Sequence, residues 1–272
     1  MGSLKRSTPW NCVQRVIDSC DVIIEVIDAR FPKETRSTDL EWMVKRAGKR
    51  LILMLNKADL VPRESRIALR ESMGYEHPVI LFSVKMRWLR EKSMLFRMIL
   101  LLVRTKDGVP VRAGVVGYPN TGKSSVINFL TNRHAAKTSP ISQFTRGIQW
   151  INCAGRFRGR VSFMDTPGVI PLVKRAPEME EGLVLTGAIS PERAAEPILA
   201  AEAAISRMLA ANPKSFLKHS DLAEYVPEAS PAEVLEMIGR RRGKLLKGGV
   251  VDLNECAKIV LRDWQSGKLR ET

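Results

Sequence analysis

Residues 117–125 read GYPNTGKSS and combine the residue types that bind phosphate groups. Gly117, Gly122, Lys123 and Ser124 follow the phosphate-loop pattern of glycine, four residues, glycine, lysine and serine or threonine. Glycine at these positions lets backbone N–H groups approach phosphate oxygens at a helix N-terminus. We expect Lys123 to reach the β- and γ-phosphates of a nucleotide and Ser124 to coordinate Mg²⁺. The predicted loop comprises Gly117, Tyr118, Pro119, Asn120, Thr121, Gly122, Lys123, Ser124 and Ser125.

Residues 56–59 read NKAD and follow an apolar run, a position where ligands bind in open parallel sheets. A carboxylate at Asp59 can accept two parallel hydrogen bonds from guanine N1–H and N2–H₂, which the reversed edge of adenine cannot offer. We expect Asn56 to contact guanine N7 and brace the loop, and the Lys57 stem to lie along the base.

A second candidate guanine contact follows the next strand. The segment Ser83, Val84 and Lys85 comes after NKAD and after another apolar run. We expect Ser83 and the Val84 amide to meet guanine O6.

Two further residues complete the predicted metal site. Thr145, in the polar segment 135–147, is our candidate for the hydroxyl that completes the Mg²⁺ shell when a γ-phosphate is present. Residues 165–168 read DTPG, in which Asp165 would hold Mg²⁺ largely through water and the Gly168 amide would sense the γ-phosphate.

The elements that must position these residues alternate between strands and helices. The apolar runs predict strands at residues 21–28, 50–55, 78–82, 111–116, 148–154 and 160–164. Helical spacing predicts helices at residues 10–20, 38–47, 64–73, 91–104 and 126–132. This alternation predicts an α/β domain with a mainly parallel sheet. An ordinary glycine-rich turn is the alternative for residues 117–122, and the strand before them and the helix after them favour a phosphate loop instead.

A change in composition predicts a second domain. After residue 174 the sequence becomes rich in Ala, Glu and Leu, and we expect an all-helical domain over residues 175–272 behind the nucleotide domain of residues 1–174. Helices are predicted at residues 191–211, interrupted or initiated near Pro197, and at residues 216–225, 231–242 and 252–265. Asp252 is the expected N-cap of the last helix and Gly267 its expected stop.

The charge distribution favours a polyanionic partner. Of the net charge of +15, residues 1–174 contribute 30 basic against 14 acidic side chains, whereas residues 175–272 contribute 14 against 15. A basic surplus of this size favours nucleic acid over a membrane surface as the partner. Separately, no apolar run approaches the length of a membrane span. Four scattered cysteines and the absence of a signal pattern predict a soluble, cytoplasmic protein, which we expect to be a monomer.

Two basic clusters are candidate RNA contacts. In the first, Arg156, Arg158 and Arg160 surround Phe157 at a hairpin tip, which suits phosphate contact and base stacking. The second lies at residues 240–247 and contains Arg240, Arg241, Arg242, Lys244 and Lys247. A solvated surface is the alternative for both.

The motif order is rearranged relative to an ordinary GTPase, because NKAD and SVK precede the phosphate loop. This order resembles the circularly permuted GTPases. The stretches DARFPKETRSTDLE, LNKADLVP, GYPNTGKSSVINFL and DTPGVI resemble the large-subunit ribosome-assembly branch of the YlqF/RbgA type, and residues 243–269 are similar to the end of that family's helical C-terminal domain. The resemblance implies a circularly permuted Ras-like P-loop domain, followed by a small all-α domain, that hydrolyses GTP to GDP and docks on the immature large ribosomal subunit and its rRNA.

Two departures from the usual pattern bear on catalysis. Residues 142–145 read SQFT where the family often has Pro-Gly-x-Thr, and Val169 stands where many GTPases carry the glutamine that orients water. The resemblance implies that Asn120 holds K⁺, so we expect slow basal hydrolysis stimulated by K⁺ and by the ribosomal particle. The alternatives are an RNA-binding scaffold with a structural guanine-nucleotide site, and a permuted GTPase that serves the small subunit.

Overall fold

A computed structural model of the chain describes residues 9–104, 108–132, 150–153, 155–164, 168–172, 177–222, 229–266 and 268–269. The chain divides into two compact units, Met1–Val173 and Lys174–Thr272. Among the described residues, every helix is too short or too polar to cross a membrane.

The first unit is built on one sheet, and each predicted apolar run forms a strand of it. Over the described residues, the strands are β1 (Val22–Asp28), β2 (Arg50–Asn56), β3 (Val79–Leu81), β4 (Val111–Gly117), β5 (Trp150–Asn152), β6 (Val161–Met164) and β7 (Gly168–Val169). Their order is β3-β2-β1-β4-β6-β5, with β7 also paired to β4. All pairs are parallel except β5 with β6. The mainly parallel α/β fold predicted from the sequence is confirmed.

Helices cover both faces of this sheet. They are α1 (Pro9–Ser19), α2 (Pro32–Thr35), α3 (Thr38–Arg46), α4 (Arg63–Met73), α5 (Leu89–Leu102) and α6 (Lys123–Thr131). On one face, alternate residues of β1 pack in a core with buried side chains of α5 and α6. On the other face, α1 packs on β4 and α3 packs on β2. Because both faces are covered, the central strands are buried along almost their whole length and are mainly apolar rather than alternating; the exceptions inside them are Glu25 in β1 and the exposed Arg112 in β4.

The second unit is helical in its described residues. Its helices are α7 (Pro177–Leu185), α8 (Pro197–Ala211), α9 (Pro213–Ser220), α10 (Pro231–Arg241) and α11 (Leu253–Gln265). The side chain of Asp252 accepts a hydrogen bond from the Glu255 amide, so the predicted N-cap of α11 is confirmed. For residues 191–211 the sequence predicted a helix that is either interrupted or initiated near Pro197, and the structure shows that the helix begins at Pro197. The helix α7 was not predicted. Gly267 lies outside the described residues.

Candidate nucleotide-binding site

The phosphate loop joins the end of β4 to the start of α6, and its glycines are required by close contacts. A Cβ atom at Gly117 would lie 2.5 Å from the backbone oxygen of Val26 in the neighbouring strand β1. Gly122 has φ +98°, and a Cβ atom there would lie 2.3 Å from Nδ2 of Asn56. Both distances are shorter than van der Waals contact, so a side chain at either position would push neighbouring atoms apart.

The N-terminus of α6 has the properties of an anion site. Its N-cap is Gly122, which offers no side-chain cap, and the Val126 amide is the first to bond back to it, at 2.9 Å. The amides of residues 123–125 therefore have no acceptor within the helix. Ser124 is half-buried and Ser125 is exposed in this first turn. Backbone N–H groups and a hydroxyl are thus placed together where the helix dipole favours negative charge.

Lys123 is buried, with 5% of its surface exposed. Its ammonium group donates to the backbone oxygen of Tyr118, and Thr121 Oγ1 donates to the same oxygen at 3.0 Å. Burial lowers the pKa of Lys123 to about 7, and the nearby Lys57 cation adds to this shift. Because burial disfavours the charged form of Lys123, a phosphate group next to it would strongly stabilise the ammonium.

The loop that we predict to read guanine, residues 56–60, begins at the end of β2, and we call it the guanine loop. Lys57 has φ +60°, and residues Ala58–Leu60 form one turn of 3₁₀ helix that carries Asp59. The Ser83 hydroxyl, which is fully buried, donates to Asp59 Oδ1 at 2.6 Å. The structure therefore brings Ser83 to Asp59 and fixes the orientation of that carboxylate. Val84 is half-buried beside it and Lys85 is exposed.

One buried hydrogen bond connects the guanine loop to the phosphate loop. Asn56 Nδ2 donates to the backbone oxygen of Thr121 at 2.8 Å, across 65 residues of sequence. Among the described residues, Asn56 Oδ1 has no hydrogen-bond partner. The strand β1 lies between β2 and β4, and all three strands are parallel. Their carboxyl ends therefore meet at one edge of the sheet, and the two loops that follow β2 and β4 lie close together there.

Sequence reasoning missed a buried carboxylate at this edge. Asp28 ends β1 and is fully buried. Its carboxylate accepts from Lys57 Nζ at 2.7 Å and from two guanidinium nitrogens of Arg30 at 3.0 and 2.8 Å. Although burial opposes ionisation, the Lys57 and Arg30 cations hold the pKa of Asp28 below its usual value. The available signal was an aspartate directly at the end of a predicted buried strand.

The residues after DTP lie beside the phosphate loop. Gly168 pairs with Val116, and the Ile170 amide donates to the backbone oxygen of Gly117 at 3.0 Å. Val169 is 36% exposed. Thr145 and Asp165 lie outside the described residues, so the predicted metal contacts of these two side chains stay predictions.

The structure bears on both predicted RNA contacts: it corrects one part of the first and leaves the second a prediction. Phe157 is 6% exposed and stacks on Phe96 with ring centroids 4.6 Å apart, so it belongs to the core and base stacking on it was a wrong prediction. The basic cluster at residues 240–247 is largely neutralised, because its three arginines form ion pairs. Arg240 pairs with Glu236, Arg241 with Asp221 and Arg242 with Asp263.

Known proteins resemble this chain in sequence. Residues 112–223 match the family model described as 50S ribosome-binding GTPase. A protein named as an uncharacterized GTP-binding protein of Methanocaldococcus jannaschii is 37% identical over 94% of this chain and 65% of its own length. Nucleolar GTP-binding protein 2 of Yarrowia lipolytica is 34% identical over 96% of this chain and 49% of its own length. The chain thus spans about half to two thirds of these relatives.

Solved structures resemble it in fold. The GDP-bound structure of YlqF superposes with a TM-score of 0.65 at 24% identity, covering 95% of both chains. GNP-bound YlqF from T. maritima gives 0.62 at 24% identity, covering 95% of this chain and 94% of that one. In motif order and in fold, the chain resembles the circularly permuted GTPases of the YlqF type.

The motif order explains the position of the sequence match. The matched region begins at residue 112, within the strand that leads into the phosphate loop, whereas NKAD lies upstream of it. In this chain NKAD comes before the phosphate loop in sequence, and the strand order brings the two loops to the same edge of the sheet. The permutation predicted from the motif order is confirmed.

Proposed function

We propose that the chain binds GTP and hydrolyses it to GDP, as a molecular switch in the assembly of the large ribosomal subunit. The observation that carries the proposal is the hydrogen bond from Asn56 to Thr121, because it joins a guanine-specific loop to a phosphate loop. A nucleotide in contact with both loops would touch base-reading and phosphate-reading groups at once. Asp59 would read the guanine edge, with Ser83 orienting it and with the Val84 amide near O6.

The residues around the phosphates fit a nucleotide with its magnesium ion. Ser124 offers a half-buried hydroxyl at the start of α6, next to the buried ammonium of Lys123. We propose Ser124, Thr145 and Asp165 as the residues that hold Mg²⁺, which neutralises charge on the β- and γ-phosphates. The Gly168 amide would report the γ-phosphate, since its strand β7 pairs with the end of β4.

Catalysis would not depend on a glutamine side chain after DTPG. Val169 is aliphatic and cannot orient water, so hydrolysis by the isolated protein should be slow. Asn120 stands in the phosphate loop with φ +59°, and we propose it as the residue that would hold K⁺ beside the phosphates. A cation there would supply positive charge where negative charge develops during hydrolysis.

The partner is inferred from charge and from the relatives. The basic surplus lies in the first unit, and the matched family model is described as 50S ribosome-binding. Nucleolar GTP-binding protein 2 carries a name that places it in the nucleolus. We propose the large ribosomal subunit and its rRNA as the partner. That the protein acts as a monomer and in the cytoplasm is part of the same proposal.

The decisive experiment measures GTP hydrolysis in KCl and in NaCl, with and without purified large subunits, alongside co-sedimentation. We expect faster hydrolysis in KCl, further stimulation by large subunits, and co-sedimentation that requires GTP. Equal rates in both salts would rule out the role of K⁺. Absence of subunit binding and of stimulation would rule out the assembly role.

Two alternatives give distinct results. A scaffold with a structural nucleotide site would keep its cellular role in the Lys123→Ala variant, whereas a switch would lose it. A GTPase of the small subunit would co-sediment with small rather than large subunits.

A further inference from the structure

The helix α5 has a second face that does not pack on the sheet. Leu95, Phe96 and Ile99 are buried against the core. On the opposite side, Arg90, Met94, Arg97 and Leu101 recur at spacings of four, three and four, so they form one stripe along the helix. All four are exposed, with Met94 at 45% and Leu101 at 83%.

The loop before α5 extends this stripe. Lys85 and Arg87 are exposed, as are Met86 at 61% and Leu89 at 62%. We call the exposed set the α5 outer face; it comprises Lys85, Met86, Arg87, Leu89, Arg90, Met94, Arg97 and Leu101. Basic and apolar side chains alternate across it. The sequence alone indicated only an amphipathic helix against the sheet.

The charge of this face is not neutralised. Residues 84–104 contain six basic side chains and one acidic side chain, Glu91. Among the described residues, Lys85, Arg87, Arg90 and Arg97 have no carboxylate within salt-bridge distance. This contrasts with Arg240, Arg241 and Arg242, which all pair with carboxylates. An unpaired basic stripe on one helix face is the electrostatic footprint of a polyanion site.

We infer that the α5 outer face binds structured RNA. The arginine and lysine side chains would contact backbone phosphates, which dominate the affinity of such interfaces. The methionine and leucine side chains between them would cover the apolar faces of sugars and unstacked bases. RNA is favoured over an acidic protein because the family model that matches residues 112–223 is described as 50S ribosome-binding.

The same segment is hydrogen-bonded to the guanine site. The Met86 amide donates to Ser83 Oγ at 3.1 Å, and Ser83 Oγ donates to Asp59 Oδ1 at 2.6 Å. Arg66 provides a second connection, since its guanidinium lies 5.5 Å from the centre of the Trp88 ring and donates to the backbone oxygens of Val61 and Asp59 at 2.7 and 3.4 Å. A ligand that shifts residues 84–90 thereby shifts the carboxylate that reads guanine.

RNA on this face therefore changes the affinity for guanine nucleotide, and nucleotide changes the affinity for RNA by the same factor. This coupling rests on the proposed guanine site, whereas RNA binding by the face does not. The two can fail separately.

The test compares two double variants of the full chain. Arg90→Ala with Arg97→Ala removes two cations seven residues apart from the α5 outer face. Arg63→Ala with Arg70→Ala is the matched control, because it removes two exposed arginines at the same spacing from α4. Binding of purified large-subunit rRNA is measured over a range of KCl concentrations.

We expect the α5 variant to bind rRNA about tenfold more weakly, with a salt slope reduced by about two, and the α4 variant to change by less than about twofold. Equal losses in both variants, or none in either, would overturn the inference. So would binding to polyglutamate with no binding to rRNA, since that would indicate an acidic protein partner.

The coupling is read from the dissociation rate of GDP with and without rRNA. We expect rRNA to change this rate in the wild type and in the α4 variant and to leave it unchanged in the α5 variant. An rRNA effect that persists in the α5 variant would overturn the coupling. If the wild type binds no GDP, the proposed guanine site fails while the rRNA comparison still decides the docking surface.

Discussion

At the scale of single residues, Lys123 lies in surroundings that oppose its own charge. Its pKa of about 7 means that at pH 8 the side chain is mostly neutral in the free protein. Nucleotide phosphates favour the ammonium form, so binding must recruit a proton. We expect GDP binding at pH 8 to take up close to one proton, measured by titration calorimetry in two buffers of different ionisation enthalpy.

The control for this prediction is Lys123→Arg. An arginine stays charged at pH 8, so its binding heat should not depend on the buffer. Equal buffer dependence in the two proteins would place the proton on another group.

Asp28 supports the site through the cations it holds. Asp28→Asn keeps the shape of the side chain but removes the counter-charge of Lys57 and Arg30. Breaking a buried ion pair on one side costs about 3 kcal/mol, so we expect a comparable fall in the free energy of unfolding in urea. We also expect at least tenfold weaker binding of a fluorescent GDP analogue, because Lys57 loses its orientation.

The exposed residue Asp18 gives the comparison for Asp28. Asp18→Asn should change stability by less than about 0.5 kcal/mol and leave GDP affinity unchanged. Wild-type GDP affinity in Asp28→Asn would show that the carboxylate contributes to the fold alone.

At the scale of elements, the site depends on how closely the β4–α6 junction approaches the end of β2. Gly122→Ala adds a Cβ atom 2.3 Å from Asn56 Nδ2 and so disturbs the hydrogen bond to Thr121. We expect GDP affinity to fall at least tenfold, measured with a fluorescent analogue.

A substitution at Gly48 serves as the control that distinguishes the effect of this close contact from the effect of backbone strain. Gly48 also has positive φ, +65°, but a Cβ atom there would have no neighbour within 4 Å. Gly48→Ala should therefore cost about 1 kcal/mol of stability and leave GDP affinity unchanged. An equal fall in GDP affinity in the two variants would mean that backbone strain, rather than the contact with Asn56, causes the loss.

At the scale of the whole molecule, each of the two units contains its own buried side chains. Every proposed nucleotide contact lies in the first unit. A ligand stabilises only what it binds, by about 2.7 kcal/mol at one hundred times its dissociation constant. We expect scanning calorimetry to give two transitions, of which GDP raises only one.

A variant of the second unit assigns the other transition. Asp263 accepts hydrogen bonds from Arg242, His219 and Lys268, so Asp263→Asn should lower the transition that GDP leaves in place. A single transition that moves with both changes would contradict the prediction.

Much of the fold could be predicted because its signals are local. The apolar runs that became β1, β2 and β4 are nearly continuous, since both faces of those strands are mostly buried. The motif order alone predicted the circular permutation. Helix α7 was not predicted, because its apolar residues are concentrated at one end instead of recurring at helical spacing.

The sequence by itself predicted which residues would carry the chemistry, because phosphate and guanine recognition require particular residue types at fixed local spacing. Only the tertiary structure decided how they are supported. It brought Asn56 to Thr121, Ser83 to Asp59 and Lys57 to Asp28. It also buried Phe157 and left the outer face of α5 unpaired. The physical reason is that burial and charge pairing depend on residues distant in sequence, which meet only when the sheet is assembled.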